Sequence, residues 1–209
     1  MGFKPEMQGK MRIIYIHGFN SGKGQKVKDL EQQGFEVYCP QLTAHVHEDI
    51  AILVKLVNDL KDEDLHIVGR SLGGYYALIL LARIFSENAI HYHLINPSLV
   101  PWKSIKRFLN KKMKNYKSGE EYQLTISFLN ALKQYVPQIE SIPTNRFFNV
   151  TFYFGTKDEI LDHSITKDWI QTCRVPCDII ETNQGHRYED ISTVIREINA
   201  LEMANNMKW

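Results

Sequence analysis

Gly69-Arg70-Ser71-Leu72-Gly73 stands directly behind the apolar run Leu65 to Val68 and in front of a helical stretch over residues 74–85. A strand that enters a helix through so few residues must turn sharply. Glycines are required at such a turn because side chains there collide with the neighbouring strand and helix. The pattern is that of a nucleophile elbow, which holds one serine, here Ser71, in a strained conformation at the edge of a sheet. A tight structural turn is the plainer alternative. The choice between them rests on residues much further along the chain.

An elbow serine needs an acid and a histidine, and in this architecture they come in the order Ser, Asp, His. Val150 to Phe154 is a short β-branched and aromatic run ending at Gly155, and the turn after it carries Asp158. Cys177 to Glu181 is a second such run, and the loop after it carries His186 within Gln184-Gly185-His186-Arg187. Each partner lies just past the carboxyl end of a strand, the edge where a parallel sheet collects its functional loops. A serine hydroxyl is barely nucleophilic until an imidazole takes its proton. The imidazole in turn needs a carboxylate to fix its tautomer. Glu159 and Asp162 crowd the same turn, and Asp158 is chosen because it is nearest the strand end.

The first strand, Arg12 to Ile16, runs into His17-Gly18-Phe19-Asn20-Ser21. A loop in this place can aim one backbone N–H at the site while the residue after the nucleophile supplies another, so Phe19 and Leu72 are the expected oxyanion donors. Asn20, Asn96 and Trp102 are further candidates for substrate contact. Arg70 has two readings: a guanidinium that selects an anionic substrate, or one that turns along the sheet edge into a structural salt bridge.

Tyr15-Ile16-His17-Gly18-Phe19-Asn20-Ser21, residues 69–77 (Gly-Arg-Ser-Leu-Gly-Gly-Tyr-Tyr-Ala), Ile95-Asn96-Pro97, Asp158-Glu159-Ile160-Leu161-Asp162 and Gly185-His186 resemble the YqiA-like small bacterial esterases of the α/β-hydrolase superfamily. The similarity runs from about residue 12 to about residue 198. The resemblance implies a cofactor-independent hydrolase of carboxylic esters or acyl-CoA thioesters, with Ser71, Asp158 and His186 as its triad. Two departures stand out. Arg70 occupies a position where a small residue is more usual, and the segment 102–146 matches less well than the rest.

Apolar runs near residues 12–17, 35–39, 64–68, 90–95, 150–154 and 177–181 alternate with helical patterns near 24–33, 46–60, 73–85, 163–172 and 189–204. This predicts a compact α/β-hydrolase fold: a mostly parallel six-stranded sheet in the order 2-1-3-4-5-6, with helices on both faces. A chain of 209 residues with 44% hydrophobic content can bury one sizeable core, so a single domain is expected. Residues 97–149 break the alternation with two helical patterns, about 101–113 and 120–135. They read as a small helical cap over the site, with Trp102, Phe108, Leu109, Leu124, Phe128, Leu129, Leu132 and Tyr135 as candidates for an apolar acyl pocket. The alternative is that these residues glue the cap to the body.

The formal net charge of +1 gives no overall pull toward nucleic acid. Between Trp102 and Ser118 the chain nevertheless carries Lys103, Lys106, Arg107, Lys111, Lys112, Lys114 and Lys117 with no acidic residue, which reads as a solvated helix face or as a landing surface for a polyanion. Cys39, Cys173 and Cys177 lack metal-type spacing and suggest reduced thiols. Met1 to Met11 lacks the apolar core of a signal peptide, and no apolar run reaches membrane-spanning length, so a cytoplasmic location without stable membrane insertion is expected. Gly18 to Gly24 is one residue short of a phosphate-binding loop. The alternating His91 and His93, and His45 and His47, have no acidic or cysteine ligand at a recognisable spacing, so no metal is expected. The function expected from these residues is ester hydrolysis through an acyl-enzyme on a small-molecule ester or thioester, without a cofactor. A non-catalytic scaffold that binds a ligand or partner in its cavity is the competing class.

Overall fold

The computed structural model describes residues 10–43, 45–61, 64–84, 90–115, 119–140, 142 and 149–206. Lys117 of the basic run and nearly all of the N-terminal segment 1–11 lie outside the described residues. In chain order the body consists of β1 (Arg12–Ile16), α1 (Gln25–Gln32), β2 (Glu36–Tyr38), α2 (Val46–Leu60), β3 (Leu65–Arg70), α3 (Leu72–Arg83) and β4 (Ile90–Ile95). Then come α4 (Pro101–Ile105), β5 (Lys112–Lys114), β6 (Glu121–Gln123), α5 (Ile126–Lys133) and α6 (Val136–Glu140). The chain returns to the body with β7 (Asn149–Gly155), α7 (Ser164–Cys173), β8 (Asp178–Thr182) and α8 (Ser192–Asn206).

One six-stranded sheet runs β2-β1-β3-β4-β7-β8 with every pairing parallel. Counting only these six strands, this is the 2-1-3-4-5-6 order that the alternation predicts. Successive side chains of a strand point to opposite faces, and both faces are covered. Ile13 and Tyr15 pack with Val27 and Leu30 of α1 and with Val194 and Ile198 of α8. Ile14 and Ile16 join the opposite core, with Ile50 and Leu53 of α2 and Tyr75 and Leu78 of α3.

Helix α3 is apolar all round, and residues 72–81 are all buried. Such a helix needs partners on both sides. The sheet covers one side, and α5 covers part of the other through Phe128, Leu129 and Leu132. The Tyr75 hydroxyl donates to the Leu132 carbonyl at 2.7 Å, which fixes the layer.

The inserted segment differs from the two helices expected over 101–113 and 120–135. Helix α4 passes into a single 3-10 turn over Lys106–Phe108, and β5 then pairs antiparallel with β6. Asn110 at φ 62° and Gly119 at φ 77° interrupt the helical path. Thr125 restarts it, its Oγ1 accepting the Phe128 N–H at 3.4 Å, so α5 begins six residues later than expected. Among the described residues no helix is long and apolar enough to cross a membrane.

Candidate active site

The elbow is built by exclusion. A Cβ on Gly73 would lie 2.0 Å from the Ile16 carbonyl oxygen, and one on Gly69 would lie 2.6 Å from the Gly73 carbonyl oxygen. Only glycine lets α3 start so close to β1 and β3. Ser71, between them, is held at φ 54° and ψ −115°, a backbone conformation that L-residues rarely adopt. Its N–H donates to the Ile95 carbonyl at 3.0 Å, and its carbonyl accepts the Tyr75 and Ser98 N–H groups. The backbone is thus tied down and the hydroxyl is left to face the cavity.

His186 Nε2 lies 3.1 Å from Ser71 Oγ. On the far side of the ring, Nδ1 lies 2.9 Å from Asp158 Oδ2 and 3.1 Å from Oδ1. The Asp158 side chain is 1% exposed. Burial alone would raise its pKa. The neighbouring His163 and His186 and the Leu161 and Ile160 N–H groups outweigh burial and hold it below the usual carboxylate range. Both amides donate to Oδ1, at 2.9 and 2.8 Å. Glu159 and Asp162 do other work. Glu159 Oε2 accepts the His186 backbone N–H at 3.0 Å, and Asp162 accepts the Ser164 N–H at the start of α7.

Phe19 and Leu72 border the same cavity as Ser71, an open volume of about 410 Å³. Leu72 opens α3, so its N–H has no partner within the helix. The Phe19 loop is anchored by His17, whose burial lowers its pKa and keeps the ring neutral. In that form Nδ1 donates to the Gly18 carbonyl at 2.9 Å and Nε2 accepts the Leu42 N–H at 3.2 Å. Asn20 also borders the cavity, at φ 51°, and its Oδ1 accepts the Tyr122 hydroxyl at 3.2 Å. A second cavity of about 470 Å³ meets the first along Phe19, Asn20 and Leu72. It contains Asp49, fully buried, whose carboxyl is pushed up to about 6 by burial against hydrogen bonds from Thr43 and Tyr76.

Two substrate candidates lie elsewhere. Asn96 is fully buried and does not border the cavity; its Oδ1 accepts the Gly155 N–H at 2.8 Å and its Nδ2 donates to the Gly185 and His186 carbonyls at 3.1 and 3.3 Å. Trp102 packs edge-on against Tyr75, 6.4 Å between centroids, and joins the core. The Asn96 amide is spent on internal partners, and Trp102 is packed against Tyr75 rather than lining the cavity around Ser71. The same holds for most of the expected acyl pocket. Leu124, Phe128, Leu129, Leu132 and Tyr135 are buried in the α2–α3 core, and of the eight candidates Phe108 borders the cavity around Ser71.

Arg70 borders the cavity and lies close enough to Tyr15 for its charge to pull against the burial that pushes the Tyr15 pKa up to about 12. It is in no salt bridge among the described residues, so the edge-directed ion pair is not formed. Sequence reasoning missed His163, at the N-cap of α7, whose Nε2 lies 3.1 Å from Asp158 Oδ2 but off the line of a full hydrogen bond. A polar residue five positions after the acid was the available signal. Among the described residues no group of three or more His, Cys, Asp or Glu side chains is placed to hold a metal ion.

Comparison with known proteins places this chain in a family. The fold is that of the α/β-hydrolases. The chain belongs to the uncharacterised protein family UPF0227, the YqiA-like family, whose sequence profile matches residues 12–203. Solved structures with the same fold include Est1E from Butyrivibrio proteoclasticus, 15% identical with a TM-score of 0.65 over 96% of this chain and 89% of that one. The Paleococcus ferrophilus monoacylglycerol lipase is 15% identical with a TM-score of 0.67 over 92% and 94%. A Pyrococcus furiosus esterase is 15% identical with a TM-score of 0.58 over 96% and 82%.

Proposed function

We propose that this protein is a serine hydrolase that cleaves carboxylic esters through an acyl-enzyme. The observation that carries the reading is the unbroken series from Ser71 Oγ through the His186 ring to Asp158, 3.1 and 2.9 Å per link, at a strained elbow bordering a cavity. His186 Nε2 takes the Ser71 proton as Oγ attacks the ester carbonyl carbon. Asp158 accepts the Nδ1 proton in a hydrogen bond, fixing the tautomer and stabilising the imidazolium. The Phe19 and Leu72 N–H groups face the carbonyl oxygen as it becomes an oxyanion. His186 then returns the proton to the departing alkoxide, the alcohol leaves, and water repeats the sequence to release the acid.

A thioester passes through the same steps with a thiolate as leaving group. The likeness of fold to an esterase, a lipase and Est1E supports the class of reaction, and the residues of this chain carry the mechanism. A fluorophosphonate probe together with a panel of p-nitrophenyl esters of rising acyl length tests it. The expected result is labelling of Ser71 and turnover with an optimum in chain length. Folded protein that neither labels nor turns over any ester would leave a non-catalytic scaffold.

A further inference from the structure

The cavity around Ser71 has a charge balance that ester hydrolysis alone does not require. Three arginines border it, each from a different element: Arg70 ends β3, Arg107 lies in the turn after α4, and Arg187 comes directly after His186. Against them stands one carboxylate, Glu159, already accepting the His186 N–H. None of the three is in a salt bridge among the described residues, although Arg107 lies over the Phe108 ring at 4.9 Å.

Arg70 is placed rather than loose. It lines the cavity beside Ser71, and its Nη2 lies 3.1 Å from where a Cβ on Gly18 would sit. The missing side chain of Gly18 is what admits the guanidinium beside the Phe19 loop. A neighbouring cation registers the surplus: the Lys26 ammonium is pushed down to about 8, by burial first and then by Arg70, with Glu189 and Asp29 opposing and Arg187 adding to the repulsion. Guanidinium groups are planar forks suited to carboxylate and phosphate oxygens, and gathered in excess of counter-charge in a cleft they concentrate anions there.

We propose that the ester cleaved at Ser71 carries an anionic oxygen group, a carboxylate or a phosphate, held by Arg70, Arg107 and Arg187. The proposal rests on the hydrolase reading above and names its substrate class. The anion lies on the same side of the scissile bond as the three arginines, and the hydrolysis product that keeps it must be released by the same groups.

Two matched pairs of substrates test it at low ionic strength. Mono-4-nitrophenyl glutarate is compared with 4-nitrophenyl pentanoate, which has the same number of acyl carbons, and monobutyryl glycerol phosphate with monobutyryl glycerol. The expected result is a kcat/KM ratio of anionic to neutral ester of about 10-fold or more in at least one pair, falling several-fold in Arg107→Gln and Arg187→Gln, which are exposed side chains, and in Arg70→Gln. Preference in the first pair assigns a carboxylate and preference in the second a phosphate. Ratios near one in both pairs, unmoved by the three substitutions, overturn the proposal while leaving ester hydrolysis intact. If no ester is turned over, calorimetry on Ser71→Ala with glutarate and with glycerol phosphate decides the anion site alone. Binding that weakens in each arginine variant supports it, and absence of binding overturns it.

Discussion

At the carboxyl edge of the sheet His186 is buried between a hydroxyl and a carboxylate, whereas nearer the amino ends of β3 and β4 the sheet buries His66, His91 and His93 with no carboxylate among the described residues hydrogen-bonded to them. The second group is a stack. His66 and His91 lie 4.7 Å apart ring to ring, His66 Nδ1 meets His93 Nε2 at 3.0 Å, and His93 Nδ1 meets the Tyr153 hydroxyl at 3.0 Å. Burial, reinforced by the neighbouring histidines, drives the pKa of His66 down to about 2 and that of His93 to about 3. Burial lowers His91 too, with exposed Asp64 opposing. The same residue type under the same burial is therefore locked neutral in one place and given a partner for its positive charge in the other. What separates them is Asp158, held ionised by its own ring of donors.

The largest effect that would break this contrast is at the hydroxyl. Ser71→Ala should lower kcat by about 10³-fold or more while leaving the melting temperature nearly unchanged, because one oxygen is lost from a well-packed turn. Ester hydrolysis near the wild-type rate in purified variant would falsify the assignment of Ser71 as nucleophile. Next comes the carboxylate. Asp158→Asn should cost about 10³-fold in kcat, since an amide cannot stabilise the imidazolium, and Glu159→Gln should cost less than about 10-fold, since it holds only the backbone of His186. The reverse ranking, read by steady-state kinetics, would move the acid to Glu159.

The stack is tested by pH. Above about pH 7.5 its histidines are neutral in both folded and unfolded chain and contribute no pH dependence. Below that the unfolded chain takes up protons that the folded chain refuses, so stability falls, most steeply below about 6.5. His66 and His93 together should cost about 2 kcal/mol between pH 6.5 and 5.5. Asp49 works in the opposite sense, because its raised carboxyl takes up a proton in the folded state first, and it returns roughly half a kcal/mol over that interval. Urea unfolding at the two pH values should thus show a net loss of more than about 1 kcal/mol, and a flat profile would mean that the stack is hydrated. The smallest effect concerns His163. Replacing it with Gln keeps a polar group near Asp158 Oδ2 and should change kcat by only a few-fold (about 1 kcal/mol at most), because four hydrogen bonds to Asp158 remain. A loss approaching that of Asp158→Asn would make His163 a positioning residue for the acid.

The body was legible because its signals are strong and local. Apolar runs of four to six residues separated by periodic helices admit few arrangements, and the glycines of the elbow mark close approaches that no other residue permits. The insertion was not. Lys112–Lys114 and Glu121–Gln123 are three-residue strands, too short to show alternation, and their charges fit a helix face equally well. Only Asn110 and Gly119, both suited to positive φ, marked the breaks. The role of its apolar residues was equally hidden. Leu132 in contact with α3 and Leu132 in contact with an acyl chain look the same in one dimension. Convergence across the fold was the other blind spot: Arg107 and Arg187 are 80 residues apart, and nothing local to either points to the other.

Asn96 has a consequence for how accurately such a site can be assembled. One buried amide reads the position of the Gly155 turn before Asp158 and of the Gly185–His186 loop, while the carbonyl of its neighbour Ile95 receives the Ser71 N–H. Three segments separated by some 115 residues of chain are thereby measured from a single origin. Displacements of β4 carry all three along together, so their mutual spacing does not accumulate the independent errors of three strands. Breathing of the sheet as a whole is tolerated. Shear between neighbouring strand ends is the motion the arrangement resists.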